Sequence, residues 1–311
     1  MQVTLFGGSG FLGRYILRRL LARGLAVRVA SRRRPLRPLS PDGKGDVEWL
    51  QADVRDEATV AAALAGADAT VNAVALYVER GRETFRAVHV EGAGRVARLA
   101  AAAGIKRLVH VSGIGADSES RSAYVRARAA GEAAVEAAFA GATILRPSVI
   151  FAPDDSFLNT LIGLVSRLPL VPLFGDGGTR LQPVFAGDVA EAAVEALVRP
   201  ARSAGTYELG GPEIFTYRAL VELLAARVAR RPLLLPLPFA AWNLLAAGAS
   251  LLPSAPLTLD QVTLLRDDKV ADSARPGLAA LGVEPTAIAE ILPQLLARRR
   301  ACARADPGAQ R

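Results

Sequence analysis

The chain has 311 residues, 51% hydrophobic and 22% charged, with a formal net charge of +8; this composition supports a full core and excludes an intrinsically disordered chain. One cysteine, Cys302, excludes an internal disulfide, and the scattered His89 and His110 lack the spacing of a structural zinc site, so no metal is expected. The basic excess lies in short runs (Arg32 to Arg34, Arg230 with Arg231, Arg298 to Arg300) without the aromatic interleaving or motifs of a nucleic-acid binder.

Met1 leads directly into QVTLF with no basic leader or cleavage site, which points to a cytoplasmic protein. Gln2 to Phe6 is a short apolar strand ended by glycines, and Phe11 to Arg23 has helical spacing. Ala26 to Ser31 and Val47 to Gln51 read as the next strands, then a helix over ATVAAALAG and a fourth strand from Ala69 to Val74. An Ala-rich helix follows from about Glu83 to Ala103, then strand Arg107 to Ser112, helix Tyr124 to Phe139 and strand Ala142 to Pro147. Strands alternating with helices demand crossovers, so the predicted class is α/β: a Rossmann doubly wound parallel sheet over residues 1–150.

After Pro147 the rhythm breaks. Residues 151–300 are read as a smaller C-terminal α/β lobe for a substrate or partner, interleaved with the first domain. It carries a helix AGDVAEAAVEALV with Asp188 as its N-cap, a strand TYELG, a helix from about Thr216 to Arg230 and a helical tail; residues 301–311 are expected to be flexible. Pro232 to Leu259 contains no charged residue. Prolines break both ends, leaving a helix from about Phe239 to Leu252, roughly 21 Å long against a hydrocarbon core of about 30 Å. No transmembrane span is expected; the stretch is either a buried helix or an apolar surface element for a membrane or partner.

Gly7, Gly10 and Gly13 form a G-x-x-G-x-x-G array between the first strand and helix. Side chains are absent where a pyrophosphate must approach backbone N–H groups, and the helix N-terminus adds partial positive charge, with Ser9, Phe11 and Leu12 completing the loop. At the end of the second strand stands Ser31-Arg32-Arg33-Arg34, with no acid for a ribose hydroxyl. Arginine forks suit a 2′-phosphate, so NADP(H) is favoured and NAD(H) stays open. Asp53 and Val54 fall at the adenine edge or in a helix cap or turn, and Ala73 and Val74 run beside the cofactor. Tyr124 and Arg128, at i and i+4, share a helix face, where the cation can hold the nicotinamide ribose and the tyrosine can act as general acid or base.

The glycine loop, ADVRD, the Tyr-x-x-x-basic helix and RPSVIF resemble, in order, the short-chain dehydrogenase/reductase superfamily in its extended or atypical, epimerase/dehydratase-like branch. More narrowly, LFGGSGFLGRYI, SAYVRARAAGEAAV, TILRPSVIFAPDDSFLN and PLTLDQVTLLRDDKV are similar to bacterial relatives of the nucleotide-binding accessory subunit of respiratory complex I. That resemblance implies a tightly held NADP(H), a place for Pro147 beside the cofactor, and a C-terminal part near the membrane-arm junction. The setting it implies is the cytoplasmic face of the inner membrane. The chain departs from the superfamily pattern where Arg128 replaces the catalytic lysine and Ile114 stands at the usual serine, leaving Ser112 as the nearest substitute. The implied function is an accessory subunit with slow or absent chemistry. The alternative is an active NAD(P)-dependent oxidoreductase or epimerase for a hydrophobic or quinone-like substrate. A redox-sensing regulator is a third reading that no residue favours.

Overall fold

The computed structural model describes residues 1–33, 47–199, 204–249 and 259–305, with side chains of 249 and 302–305 left aside. Arg34, the end of the apolar stretch from 250 to 258 and residues 306–311 therefore lie outside the described residues. In chain order the elements begin β1 (Gln2–Phe6), α1 (Phe11–Ala22), β2 (Ala26–Ser31), β3 (Val47–Gln51), α2 (Glu57–Leu64) and β4 (Ala69–Asn72). A π-helical turn (Arg86–Gly92) leads into α3 (Ala93–Ala102), then β5 (Arg107–Val111), α4 (Ala123–Ala138), β6 (Thr143–Pro147) and β7 (Ile150–Phe151). Next come α5 (Phe157–Arg167), β8 (Leu170–Phe174), β9 (Arg180–Leu181), β10 (Val184–Phe185), α6 (Ala186–Val198) and β11 (Gly205–Leu209). The chain continues with β12 (Phe215–Thr216), α7 (Tyr217–Arg227), β13 (Leu233–Leu237), α8 (Phe239–Ala249), α9 (Leu259–Leu264) and α10 (Ile288–Ala305).

The chain divides into two compact units. The first comprises Met1–Pro147, Ala186–Leu209 and Ala271–Pro285; the second comprises Ser148–Phe185, Gly210–Val270 and Thr286–Arg311. A seven-stranded sheet ordered β11-β6-β5-β4-β1-β2-β3 organises the first unit, and every neighbouring pair is parallel. This is the 3-2-1-4-5-6 order of a doubly wound dinucleotide fold, extended by β11. Val60, Ala63, Leu64, Val96, Ala97 and Val135 of α2, α3 and α4 bury their faces in one core. α6 packs on α1, where Arg23 pairs with Glu191 and Glu195.

The second unit has its own core, from Phe151, Leu158 and Ile162 to Leu220, Leu224, Leu292 and Leu295. Its sheets are short: β10 with β7, β12 with β9, and β13 with β8.

Four local expectations change. Asp188 does not cap α6; the helix starts at Ala186, which places Asp188, buried, inside its first turn. The helix expected from Glu83 is π-helical over Arg86–Gly92 and regular only from Ala93. β4 stops at Asn72, because the Asn72 Oδ1 accepts the Val74 N–H at 3.2 Å and turns the chain. The start of the apolar stretch forms β13, parallel to β8, with Leu233 at 66% exposure. α8 ends at Ala249 and exposes Leu244 and Leu245, so the described part of this stretch is largely surface. No described helix is long and apolar enough to cross a membrane.

Candidate functional site

β1 lies between β2 and β4, so the loop after it opens at the carboxyl edge where the sheet order reverses, the place where this fold binds ligands. Gly7 sits at φ +79°, and a Cβ there would lie 2.9 Å from the Ala73 carbonyl oxygen. Gly13 is tighter still: its Cβ would meet the Gly7 carbonyl oxygen at 2.1 Å and Gly8 Cα at 2.7 Å. Gly10 caps α1 without a side chain, its N–H donating to Gly7 O at 2.9 Å, and no acidic residue occupies the first turn. The helix start therefore presents backbone donors and its dipole to an anion without an internal carboxylate in competition. Ala73, with its N–H on Phe6 O, and Val74 run beside this loop. Ser9 accepts a bond from Arg14 Nη1 through its carbonyl, and the Phe11 ring meets Tyr15 edge-on.

The ends of β2 and β3 carry a chain of charges. Ser31 is buried; its Oγ donates to Arg33 O and accepts from Trp49 Nε1, both at 2.9 Å, which fixes the start of the arginine run. Arg32 pairs with Glu83, and Arg55 Nη2 lies 3.9 Å from the same carboxylate. Arg55 also grips Asp53 in a fork, Nε to Oδ1 at 3.0 Å and Nη2 to Oδ2 at 2.6 Å. The Arg55 bond, with Arg32 adding its charge, holds the Asp53 carboxyl below its usual range. Asp53 makes a turn, accepting the Arg55 N–H, while Asp56 caps α2. Val54 is buried, with its carbonyl accepting from Arg95. Arg55 and Glu83 were missed in the sequence. The Asp-x-Arg spacing could have flagged the first; Glu83, read as a helix start, stands before the π-helical turn, and no local pattern pairs it with Arg32.

On α4, Tyr124 and Arg128 meet as their spacing predicts. Arg128 Nε and Nη2 donate to the Tyr124 hydroxyl at 3.1 and 2.9 Å, while Nη1 donates to Val111 O at 2.8 Å. The guanidinium is buried and clamps the helix to the end of β5. Tyr77 stacks on the Tyr124 ring, and Phe85 and His89 meet it edge-on. His89 Nε2 sits between the N–H and carbonyl of Leu76, just past Val74, which ties this cluster to the segment lining the glycine loop. Ser112 is buried at the end of β5 and its Oγ has no hydrogen-bond partner among the described residues, so it does not join the tyrosine. Pro147 ends β6, and its carbonyl accepts the Ile114 N–H at 3.1 Å.

Burial first, then the charge of Arg128, pushes the His89 pKa down to about 4, and the same causes take buried His110 down to about 3. Both titrate near ~6.5 when unfolded. Below that pH the unfolded chain binds more protons, so stability complete above pH ~6.5 falls toward pH 4 by roughly 1.4 kcal/mol per pH unit for each histidine. Urea melts at pH 5, 6 and 7 should show a shallower slope in His89→Gln than in the parent. Equal slopes would refute the burial-driven shift.

A protein from Arabidopsis thaliana named NADH dehydrogenase [ubiquinone] 1 alpha subcomplex subunit 9, mitochondrial, is 36% identical over 286 residues, 87% of this chain and 71% of that protein. A ceramide reductase of Caulobacter vibrioides is 35% identical over 171 residues, 55% of this chain and 53% of that protein. The UDP-glucose 4-epimerase of Thermus thermophilus, solved with NAD, shares the fold at a TM-score of 0.67 and 23% identity, over 92% of this chain and 94% of that one. The NAD dependent epimerase/dehydratase family matches residues 3–210, which contain the glycine loop, the charge chain and the Tyr124 cluster. The chain thus belongs to the NAD dependent epimerase/dehydratase family, and its first unit is a fold for a nicotinamide dinucleotide.

Proposed function

We propose that this protein holds NADP(H) chiefly as a structural element and serves as an accessory subunit of a respiratory complex I, with slow or absent turnover. The observation that carries this reading is the use of Arg128. At the place of the superfamily's lysine stands a guanidinium that spends its donors on Tyr124 and on Val111 O, inside the protein. Arginine keeps its charge throughout the physiological range, so it clamps but does not relay a proton. The Arabidopsis relative supplies the partner, and the exposed leucines of β13 and α8 supply a surface for a subunit or for the cytoplasmic face of the inner membrane. Bound dinucleotide would stabilise the folded chain by mass action.

The test is mass spectrometry of nucleotide released from purified protein, beside native separation of a membrane extract and a turnover assay. NADP(H) in a large membrane assembly without steady turnover is the expected result. Free protein that oxidises NADPH with a quinone or carbonyl compound would overturn the reading.

For the choice of dinucleotide, Arg32 and Arg33 are the 2′-phosphate ligands of this proposal, and Glu83 is the internal counter-ion that Arg32 must leave. Glu83→Gln should tighten NADPH about fivefold and leave NADH unchanged, because one exposed pair is worth roughly 1 kcal/mol at most. Titration of both cofactors decides it; equal gains for both would remove Glu83 from the argument.

The second reading, a working reductase or epimerase, draws on the Caulobacter relative and on the Tyr124 hydroxyl, whose oxygen accepts from Arg128. If turnover exists, Tyr124→Phe should lower kcat by about a hundredfold. Undiminished activity would exclude the tyrosine from proton transfer.

A further inference from the structure

We propose that the second unit carries a phosphoryl-binding groove between α5 and α10, walled by Arg167 and Arg299, whose ligand is a phosphate monoester or a phosphodiester headgroup. The groove is open to solvent, with a volume of about 520 Å³, and no carboxylate lines it. Arg23, Arg55 and Arg146, by contrast, each meet an acid. Arg167 lies close enough that its charge, after burial, pushes the Arg299 pKa down. Two guanidinium groups facing one space repel each other, and an anion between them removes the repulsion.

Gly163 of α5 faces the Arg299 guanidinium, with a Cβ position 3.4 Å from Arg299 Nη2. The guanidinium lies across the helix beside this glycine, and Nη1 donates to Asn159 O at 2.6 Å. That contact orients the fork and engages one of its five N–H donors. Arginine forks match phosphate oxygens in pairs. Ser156 and Thr160 add hydroxyls, and Leu164 and Leu168 offer an apolar wall for the carbon body of an ester. A smaller groove of about 280 Å³ repeats the composition, with Arg227, Arg300, Leu292 and Leu296 and again no acid. The proposal stands apart from the dinucleotide reading, whose residues belong to the first unit.

The test uses full-length protein with NADPH present, so that the glycine loop is occupied. Glycerol 3-phosphate is titrated calorimetrically. Separately, the protein is sedimented with vesicles of phosphatidylcholine containing about one-third phosphatidylglycerol, against phosphatidylcholine alone. Saturable binding of the soluble ester identifies a free phosphorylated ligand, and binding only to the anionic vesicles identifies a lipid headgroup; either supports the site. Arg299→Gln should weaken that binding by at least about tenfold. Thr160→Asp, which sets a carboxylate in the groove, should do the same while holding or raising the Tm, so loss of folding cannot mimic the result. Saturable binding of neither ligand, or binding that survives both substitutions, would overturn the proposal.

Discussion

Gly13→Ala should abolish dinucleotide binding, weakening NADPH by at least about a hundredfold, or some 2.7 kcal/mol. The cause is a methyl group 2.1 Å from the Gly7 carbonyl oxygen and 2.7 Å from Gly8 Cα. Both are backbone atoms and cannot rotate away, so α1 must retreat from the loop proposed to hold the pyrophosphate. Stability of the nucleotide-free protein should fall as well, by about 1–3 kcal/mol. Gly248→Ala provides the control: on α8, nothing lies within 4 Å of its Cβ. It should leave binding untouched and add up to about 1 kcal/mol through helix propensity. Fluorescence titration with NADPH and thermal melts of the two variants separate the outcomes. Tight binding by Gly13→Ala would mean that the loop does not receive the pyrophosphate.

Arg146→Met should cost about 3–5 kcal/mol at pH 7, because it strands the buried Glu132 carboxylate and takes a cation from buried Glu208. Arg146 on β6 bonds Glu132 of α4 through Nε and Nη2, the latter at 2.6 Å, and Glu208 of β11 through Nη1 at 3.3 Å. Glu132 and Glu208 side chains are only 6% and 7% exposed. Glu208 keeps the Asp272 N–H and a more distant Arg275, whereas Glu132 loses its fork. Adding Glu132→Gln should restore part of the loss. Denaturant melts of the single and double variants at pH 7 measure this. A loss below about 1 kcal/mol would show that the triad contributes little.

The sheet was legible because its signals are local. Gln2 to Phe6 followed by glycines specifies a strand, a turn and a helix start within a few residues, and the chirality of crossovers then orders the strands. Tyr124 and Arg128 were legible for the same reason, since helical spacing alone brings them together. The charge chain was not. The Asp53–Arg55 fork spans two residues, but Glu83 reaches Arg32 across 51 residues of sequence, and only the fold juxtaposes them. Nor was the π-helical turn. A Cβ at Gly131 would lie 2.0 Å from the His89 carbonyl oxygen, so α4 packs directly on backbone there, a long-range contact that a 3.6-residue pattern does not encode. LLLPL reads as an apolar run broken by proline; it becomes a strand because β8 offers Leu170 to Phe174 as a partner in the second unit.

The central claim, that the first unit is built to hold a phosphorylated nicotinamide dinucleotide, is tested most directly by parallel titrations of nucleotide-stripped protein with NADPH and NADH. The expected result is NADPH at least about tenfold tighter, with the preference lost in Arg32→Ala/Arg33→Ala while NADH affinity stays the same. Equal affinity for the two cofactors in the parent protein would contradict the account.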